Sequence, residues 1–428
     1  MLLANFFVES HGCTANTSAT ELMTYLLEAS GHKRISSKDV ADFVLVNTCV
    51  VKATTENRMK SILQKYYQEQ IPMIVTGCLP QVMADWCTKH LPNVALVGVD
   101  HFKDVSAAAE AVLQQREFVA ISREKAFCSE IHRYRQSPLT GIIEISKGCL
   151  GQCSYCIVKI AKGLLVSKPL KQIILEAKQA LADGCKELWL TSQDLASYGV
   201  DSGSSLIAVL KELTALNGSF WIRLGMMNAD YALPIADELV SFLQHPKIYS
   251  FVHIPLQSGS NKVLKAMKRK YTVEEFEQLI TSLRKVPRLT ISTDIIAGFP
   301  GETENDFEET LEVLRRIRFD IVNISKYGDR KGTLASKSRE KLPTEIVKQR
   351  SREVSALVRE MTLEKNRKWV GWKGEALALK REREGRWTLL RNKSYKLVAV
   401  KDNSLILGNR YSVQIEEGLK TRLLGQIL

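Results

Sequence analysis

Apolar residues come in short runs set between longer amphipathic stretches along most of this chain. To about residue 122, the runs NFFVES, DFVLVNTC and PMIVTGC alternate with NTSATELMTYLLEASG and ATTENRMKSILQKYYQEQ, whose apolar positions recur at helical spacing. Apolar runs this short, between helices, suit strands buried on both faces, so the pattern predicts βαβ units and an open parallel sheet. From about 136 to 340 six more such runs appear: GIIEISKG, KELWLTSQD, FWIRLGM, SFVHIPLQSG, LTISTDIIAGF and FDIVNISKYG. Helical patterns such as KQIILEAKQALADG and ENDFEETLEVLRRIR separate them. Six βα units predict a parallel sheet curled into a partial barrel, with chemistry at the C-terminal strand ends. PTEIVKQRSREVSALVREMTLEKNRKW, from about 343, predicts a long charged linking helix. Beyond it GEALALKRE, RWTLLRN, YKLVAVK and YSVQIEEGLKTRLLGQIL predict a small β-barrel of about five strands. The expected architecture is α/β throughout, with an N-terminal open-sheet domain over 1–122, a partial (β/α)6 barrel over 136–366 and a small β-barrel over 367–428.

This division suits a chain of 428 residues, which is too long for one ordinary core. No apolar run approaches the roughly 18 residues of a membrane span, so no membrane association is expected. The opening MLLANFFVESHGC has neither a basic start nor a small-residue cleavage site, which argues against a secretory signal. Nine cysteines in such a chain point to a reducing, cytoplasmic setting, where thiols serve as ligands, nucleophiles or packing residues. The net charge of +13 suggests a polyanionic partner. Residues 367–428 carry 14 Lys and Arg against 6 Asp and Glu, which concentrates most of that excess in one small segment and favours nucleic acid.

The cysteines fall into two sets. Cys13, Cys49 and Cys78 each lie just past the C-terminal end of a predicted strand, about one βα unit apart in sequence. In an open parallel sheet those ends share one edge, where ligands bind. Cys149, Cys153 and Cys156, in GCLGQCSYCIVK, follow the first strand of the predicted barrel in a Cys-x₃-Cys-x₂-Cys run. Two readings fit three closely spaced thiolates. One is structural zinc with a distant fourth ligand. The other is a four-iron cluster with one iron left open, which the amino and carboxylate groups of S-adenosylmethionine could chelate. Cys87, Cys128 and Cys185 fit neither pattern and read as packing residues. GFPGET lacks the spacing and lysine of a phosphate-binding loop.

The second run and its preceding aromatic, Tyr155, resemble the radical S-adenosylmethionine enzymes. The stretches ESHGCTANTSATE, LVNTCVVKATTENR, VTGCLPQ, SKGCLGQCSYCIVK, LTSQD, HIPLQSGSNKVLKAMKR and DIIAGFPGET narrow the resemblance to the methylthiotransferases, whose C-terminal TRAM domain the tail resembles. The resemblance implies two [4Fe–4S] clusters, one on Cys149, Cys153 and Cys156 and one on Cys13, Cys49 and Cys78, together with S-adenosylmethionine, a tRNA substrate and an electron donor such as a ferredoxin or flavodoxin. RLGMMN and KYGDRKGT are similar to the archaeal and eukaryotic type that acts on N6-threonylcarbamoyladenosine beside the anticodon. Two departures stand out: Lys331 where the bacterial type carries Pro, and Lys162 where Arg is common. The eukaryotic members often end in a membrane anchor, which is not expected here.

Further candidates for the adenosyl ligand are Gln193 and Asp194 after the second core strand, and His253 and Gln257 after the fourth. Arg223 on the third strand has the planar fork that suits a carboxylate. Lys380, Arg381, Arg383, Arg386 and Trp387, around a predicted turn, are candidates for gripping RNA. Alternatives are an isopentenyl-adenosine tRNA or a ribosomal protein side chain as substrate, and a non-enzymatic RNA-binding protein with structural zinc.

Overall fold

The structure is a computed structural model describing residues 3–125, 127–382 and 385–428, so Arg383 of the basic hairpin lies outside the described residues. Six strands form the first sheet: β1 (Asn5–Ser10), β2 (Lys33–Arg34), β3 (Phe43–Thr48), β4 (Met73–Gly77), β5 (Ala95–Val97) and β6 (Val119–Ala120). Their order is β2-β1-β3-β4-β5-β6, with every pairing parallel. Helices Thr14–Ala29 and Ala53–Gln68 make the first crossovers. β3 and β4 are buried at every position, as their unbroken apolar runs require. The sequence pattern missed β2, β5 and β6, each of two or three residues.

The second unit holds β7 (Thr140–Glu144), β8 (Ser146–Lys147), β9 (Val166–Ser167), β10 (Glu187–Thr191), β11 (Trp221–Arg223), β12 (Phe251–His253), β13 (Thr290–Ala297) and β14 (Ile321–Lys326). Two parallel three-stranded sheets, β7-β10-β11 and β12-β13-β14, are joined edge to edge by parallel bridges Ile222–Ile248 and Met226–His253. The result is the six-stranded partial barrel that the spacing of apolar runs predicts. Alternation decides what faces where. Leu188, Leu190, Ile222, Leu224, Val252 and Ile254 pack outward into the large helix-lined core. Glu187, Trp189, Arg223, Phe251 and His253 therefore face the interior.

Helix Thr344–Arg367 leads to a closed barrel of β15 (Lys373–Arg381), β16 (Thr388–Asn392), β17 (Leu397–Val400), β18 (Arg410–Gly418) and β19 (Leu423–Ile427), in the order β15-β16-β17-β19-β18. Its β16–β17 turn closes one end of the partial barrel. Tyr395 packs on Trp189, Tyr249 and Phe251, and Arg391 Nη1 lies 2.9 Å from the buried Glu187 carboxylate. Among the described residues no helix is long and apolar enough to cross a membrane.

Candidate functional site

The strand order places the first cysteine set. β1, β3 and β4 are neighbours, and Cys13, Cys49 and Cys78 sit at or just beyond their C-terminal ends. Side-chain hydrogen bonds lock the three loops together. Asn16 Nδ2 donates to Thr48 O at 2.8 Å, and Asn47 Nδ2 donates to Asn16 O at 2.9 Å. The Thr48 hydroxyl donates to Thr76 O at 2.6 Å and accepts the Leu79 N–H at 3.1 Å. Gly77 turns the chain at φ +90, where a Cβ would come within 2.3 Å of Asn47 Oδ1, so only glycine delivers Cys78 here. The thiols sense one another's charge. Burial pushes Cys78 up to about 12 and raises Cys49, and both are opposed by buried cations. Lys162 acts on both thiols, and Arg330 on Cys49. Arg330 itself is tied to Glu56 at 2.8 Å and to the Val50 carbonyl.

The second set opens from β8. Gly148, at φ +74, presses so close to Leu164 O that a Cβ would lie 1.8 Å away. Gly151 fills the space between two thiols. Its N–H donates to Cys149 Sγ at 3.2 Å, and a Cβ there would stand 3.3 Å from Cys149 Sγ and 3.8 Å from Cys153 Sγ. Ser154 docks the loop on helix Asn261–Ala266, its hydroxyl donating to Ala266 O at 2.8 Å and its N–H to Met267 O at 3.0 Å. Tyr155 packs edge-on against Phe299. Burial raises the Cys149 thiol to about 11 and also raises Cys156.

The two sets meet across a seam. Ile157, next to Cys156, is buried in the same core as Cys78 and Leu79. Lys162 ends the short helix that follows, with its side chain only 4% exposed and Nζ 4.0 Å from Glu144 Oε1 at the end of β7. Burial opposes its charge, but Glu144 and the thiols of Cys78 and Cys13 outweigh burial and hold its pKa above the ordinary lysine value. Lysine thus keeps the cation expected at this position, without a bidentate fork.

The other candidates divide. Asp194 is buried and accepts from Asn228 through its N–H at 3.0 Å and its Nδ2 at 2.9 Å. Burial nevertheless raises its pKa to about 6, and its charge reaches Cys149. The Gln257 backbone, at φ +72, donates to Asp294 O and accepts from Ile296, continuing the sheet past β12. His253 Nε2 stands 3.0 Å from Asp294 Oδ1 without the alignment of a hydrogen bond. Arg223 lies among the rings of Trp189, Phe251 and Tyr395, 5.3–5.6 Å from each centroid. The guanidinium beside the thiols belongs instead to Arg269, which donates to Cys153 Sγ at 3.3 Å. Nothing in the residue spacing marks it as a partner of the thiols, although it closes the stretch HIPLQSGSNKVLKAMKR.

Residues 143–314 match the Radical SAM superfamily, and residues 5–98 match an uncharacterized protein family, UPF0004. A Pyrococcus horikoshii protein named "Probable threonylcarbamoyladenosine tRNA methylthiotransferase" is 35% identical over 430 residues, covering 100% of both chains. Proteins named "Threonylcarbamoyladenosine tRNA methylthiotransferase" from Drosophila melanogaster and Homo sapiens are 35% and 32% identical, each covering 99% of this chain and 77% and 74% of theirs. The chain belongs to the threonylcarbamoyladenosine tRNA methylthiotransferase family. It is a radical S-adenosylmethionine enzyme, a transferase with two [4Fe–4S] clusters. The fold agrees: a radical S-adenosylmethionine methyltransferase from Kitasatospora setae superimposes with a TM-score of 0.59 at 16% identity, covering 78% of this chain and 76% of that one.

For a member of this family the donor sets fit. Each offers three thiols, one set after neighbouring strands and the other on a single loop, the number that holds a cubane while leaving one iron for another ligand. Among the described residues no group of three or more His, Cys, Asp or Glu is placed so as to hold a single metal ion. The barrel interior also fits a polar ligand. Trp189 Nε1, Gln193 Oε1, Arg223 Nε and His253 Nε2 are all buried without a hydrogen-bond partner among the described residues. Unpaired polar atoms are costly unless a ligand or water meets them.

Cys87 and Cys185 are core residues as expected, whereas Cys128 is part-buried, its carbonyl accepting from Gln172 Nε2 at 2.7 Å. In the C-terminal barrel Lys380, Arg381 and Arg386 are exposed around the β15–β16 hairpin, and Arg422 lies over the Trp387 ring.

Proposed function

We propose that this enzyme converts N6-threonylcarbamoyladenosine, next to the tRNA anticodon, into its 2-methylthio derivative by attaching sulfur and a methyl group at C2. The observation that carries this reading is the seam: Ile157, beside Cys156, is buried in the same core as Cys78, and Lys162 on the helix that follows lies within electrostatic reach of Cys78 and Cys13. Inserting sulfur at an unactivated C–H needs two activities at one carbon, and the seam offers a place for both. When bound, the clusters and S-adenosylmethionine supply the one-electron chemistry, the sulfur and the methyl group.

The chain's own residues hold and orient. Cys149, Cys153 and Cys156 take the cluster that chelates S-adenosylmethionine, and Cys13, Cys49 and Cys78 take the second. Gln193 and Arg223 each keep a buried polar atom free of hydrogen bonds for the adenosyl ligand, with His253 and Asp294 paired at the end of the fourth barrel strand and Asp194 holding Asn228. Lys162 and Arg330 bring positive charge to the N-terminal thiols. Lys380, Arg381, Arg386 and Trp387 grip the RNA by phosphate contacts and stacking. Electrons come from a separate carrier such as a ferredoxin or flavodoxin, in the cytoplasm.

The test is mass spectrometry of tRNA nucleosides from cells with and without the gene. Loss of the 2-methylthio nucleoside, with accumulation of N6-threonylcarbamoyladenosine, supports the assignment. A loss confined to 2-methylthio-isopentenyladenosine, or no change in tRNA, refutes it.

A further inference from the structure

Arg269 owes its position to the way a helix ends. Helix Asn261–Ala266 stops in a left-handed turn at Lys268, φ +57, where the Arg269 N–H bonds to Leu264 O at 2.9 Å and the Lys268 N–H to Lys265 O at 3.0 Å. This is a Schellman motif with lysine in the place that glycine usually takes. It sends Arg269 back towards the cysteine loop. The last carbonyls of the same helix end accept Ser154, so one turn fixes both Cys153 and the guanidinium that meets it.

Three of the donor positions on Arg269 are committed. Nη1 donates to Cys153 Sγ at 3.3 Å, Nη2 to Asn228 Oδ1 at 2.7 Å and Nε to Tyr271 Oη at 3.0 Å. The Tyr271 hydroxyl in turn donates to the carbonyls of Pro255 and Leu256 at 2.8 and 2.9 Å. Asn228 is held by Asp194. The guanidinium therefore cannot swing away from the sulfur without breaking a buried network. Hydrogen bonds and positive charge at cluster sulfurs favour the reduced form, and this is one of the means by which a protein sets cluster potential.

We propose that Arg269 is a positioning residue that, by donating to Cys153 Sγ, raises the reduction potential of the cluster held by Cys149, Cys153 and Cys156. The proposal rests on the assignment of that cluster to those three cysteines. Asn228 and Tyr271 act through Arg269 by fixing its orientation.

The experiment is an anaerobic redox titration of the reconstituted full-length enzyme, followed by electron paramagnetic resonance without S-adenosylmethionine. The signal that later responds to added S-adenosylmethionine identifies the cluster concerned. Arg269→Gln should make that cluster harder to reduce by about tenfold in the reduced-to-oxidised ratio at fixed potential, a fall of about 59 mV for one electron. Arg269→Lys, which keeps charge but cannot serve three partners, should show a smaller fall. If the Gln variant does not retain iron, the Lys variant decides. Unchanged midpoints in a variant with full iron content overturn the proposal, even where affinity for S-adenosylmethionine drops. A Cys149→Ala enzyme that still shows the responsive signal would instead refute the cluster assignment.

Discussion

Lys162 and Glu144 face each other at 4.0 Å in the seam between the two cysteine triads, and neither belongs to the sheet that carries the N-terminal triad. The barrel unit thus supplies the charge that the buried thiols of Cys49 and Cys78 require. Lys162→Met should take one cation from the part-buried Glu144, which keeps Lys168, and destabilise the fold by about 1 kcal/mol. Iron content should fall towards half, because Cys78 loses the cation that acts on it and only Arg330 remains beside Cys49. Lys162→Arg should retain iron. Thermal melting and iron assay check both variants, and full iron content in Lys162→Met would show that the ammonium has no part in holding the second cluster.

A second electrostatic feature is far simpler. Glu21 on helix Thr14–Ala29 is almost wholly buried, accepts the Gln136 N–H at 3.0 Å and has Arg135 3.8 Å away. Burial outweighs both and raises its pKa to about 7. Between about 4.5 and 7 the native protein keeps a proton that the unfolded chain has lost, so this group's contribution to stability falls as pH rises through that window. The full loss is about 3 kcal/mol. Glu21→Gln should melt progressively higher than the parent from pH 5 to pH 7. Parallel melting curves across that range would contradict the assignment.

Much of this was legible from residue spacing, and the remainder was not, for a physical reason. A cysteine after each of three buried strand runs points to one sheet edge because parallel strands end together. The six barrel strands follow equally from their apolar runs. Strands of two or three residues, such as Ala95–Val97, are too short to show a period. Arg269 reaches Cys153 across 116 residues and Arg330 reaches Val50 across 280, and such pairings arise only from tertiary packing. Lys162 was visible as a departure from the family pattern, yet its partner Glu144 was not.

The C-terminal hairpin gives a prediction about affinity. Lys380, Arg381 and Arg386 are exposed, and Arg381 is held by the carbonyls of Asn403 and Leu405 at 3.2 Å each. Changing the three to Gln should weaken tRNA binding and reduce the slope of log affinity against log salt by about 1 per lost phosphate contact. Reductive cleavage of S-adenosylmethionine without tRNA should be unaltered. Filter binding at several salt concentrations reads the slope, and an unchanged slope and affinity would place the RNA grip elsewhere.

The central claim is that two separate triads act on one base, and a single assay tests it. Purified enzyme carrying about eight iron, its Cys149/Cys153/Cys156→Ala variant and its Cys13/Cys49/Cys78→Ala variant are each given reductant, S-adenosylmethionine and tRNA bearing N6-threonylcarbamoyladenosine. 5′-Deoxyadenosine and the 2-methylthio nucleoside are then quantified by mass spectrometry in the same reaction. The parent should yield both, the first variant neither, and the second 5′-deoxyadenosine alone. Methylthiolated product from the second variant at the parent's rate, or 5′-deoxyadenosine from the first, would contradict the account.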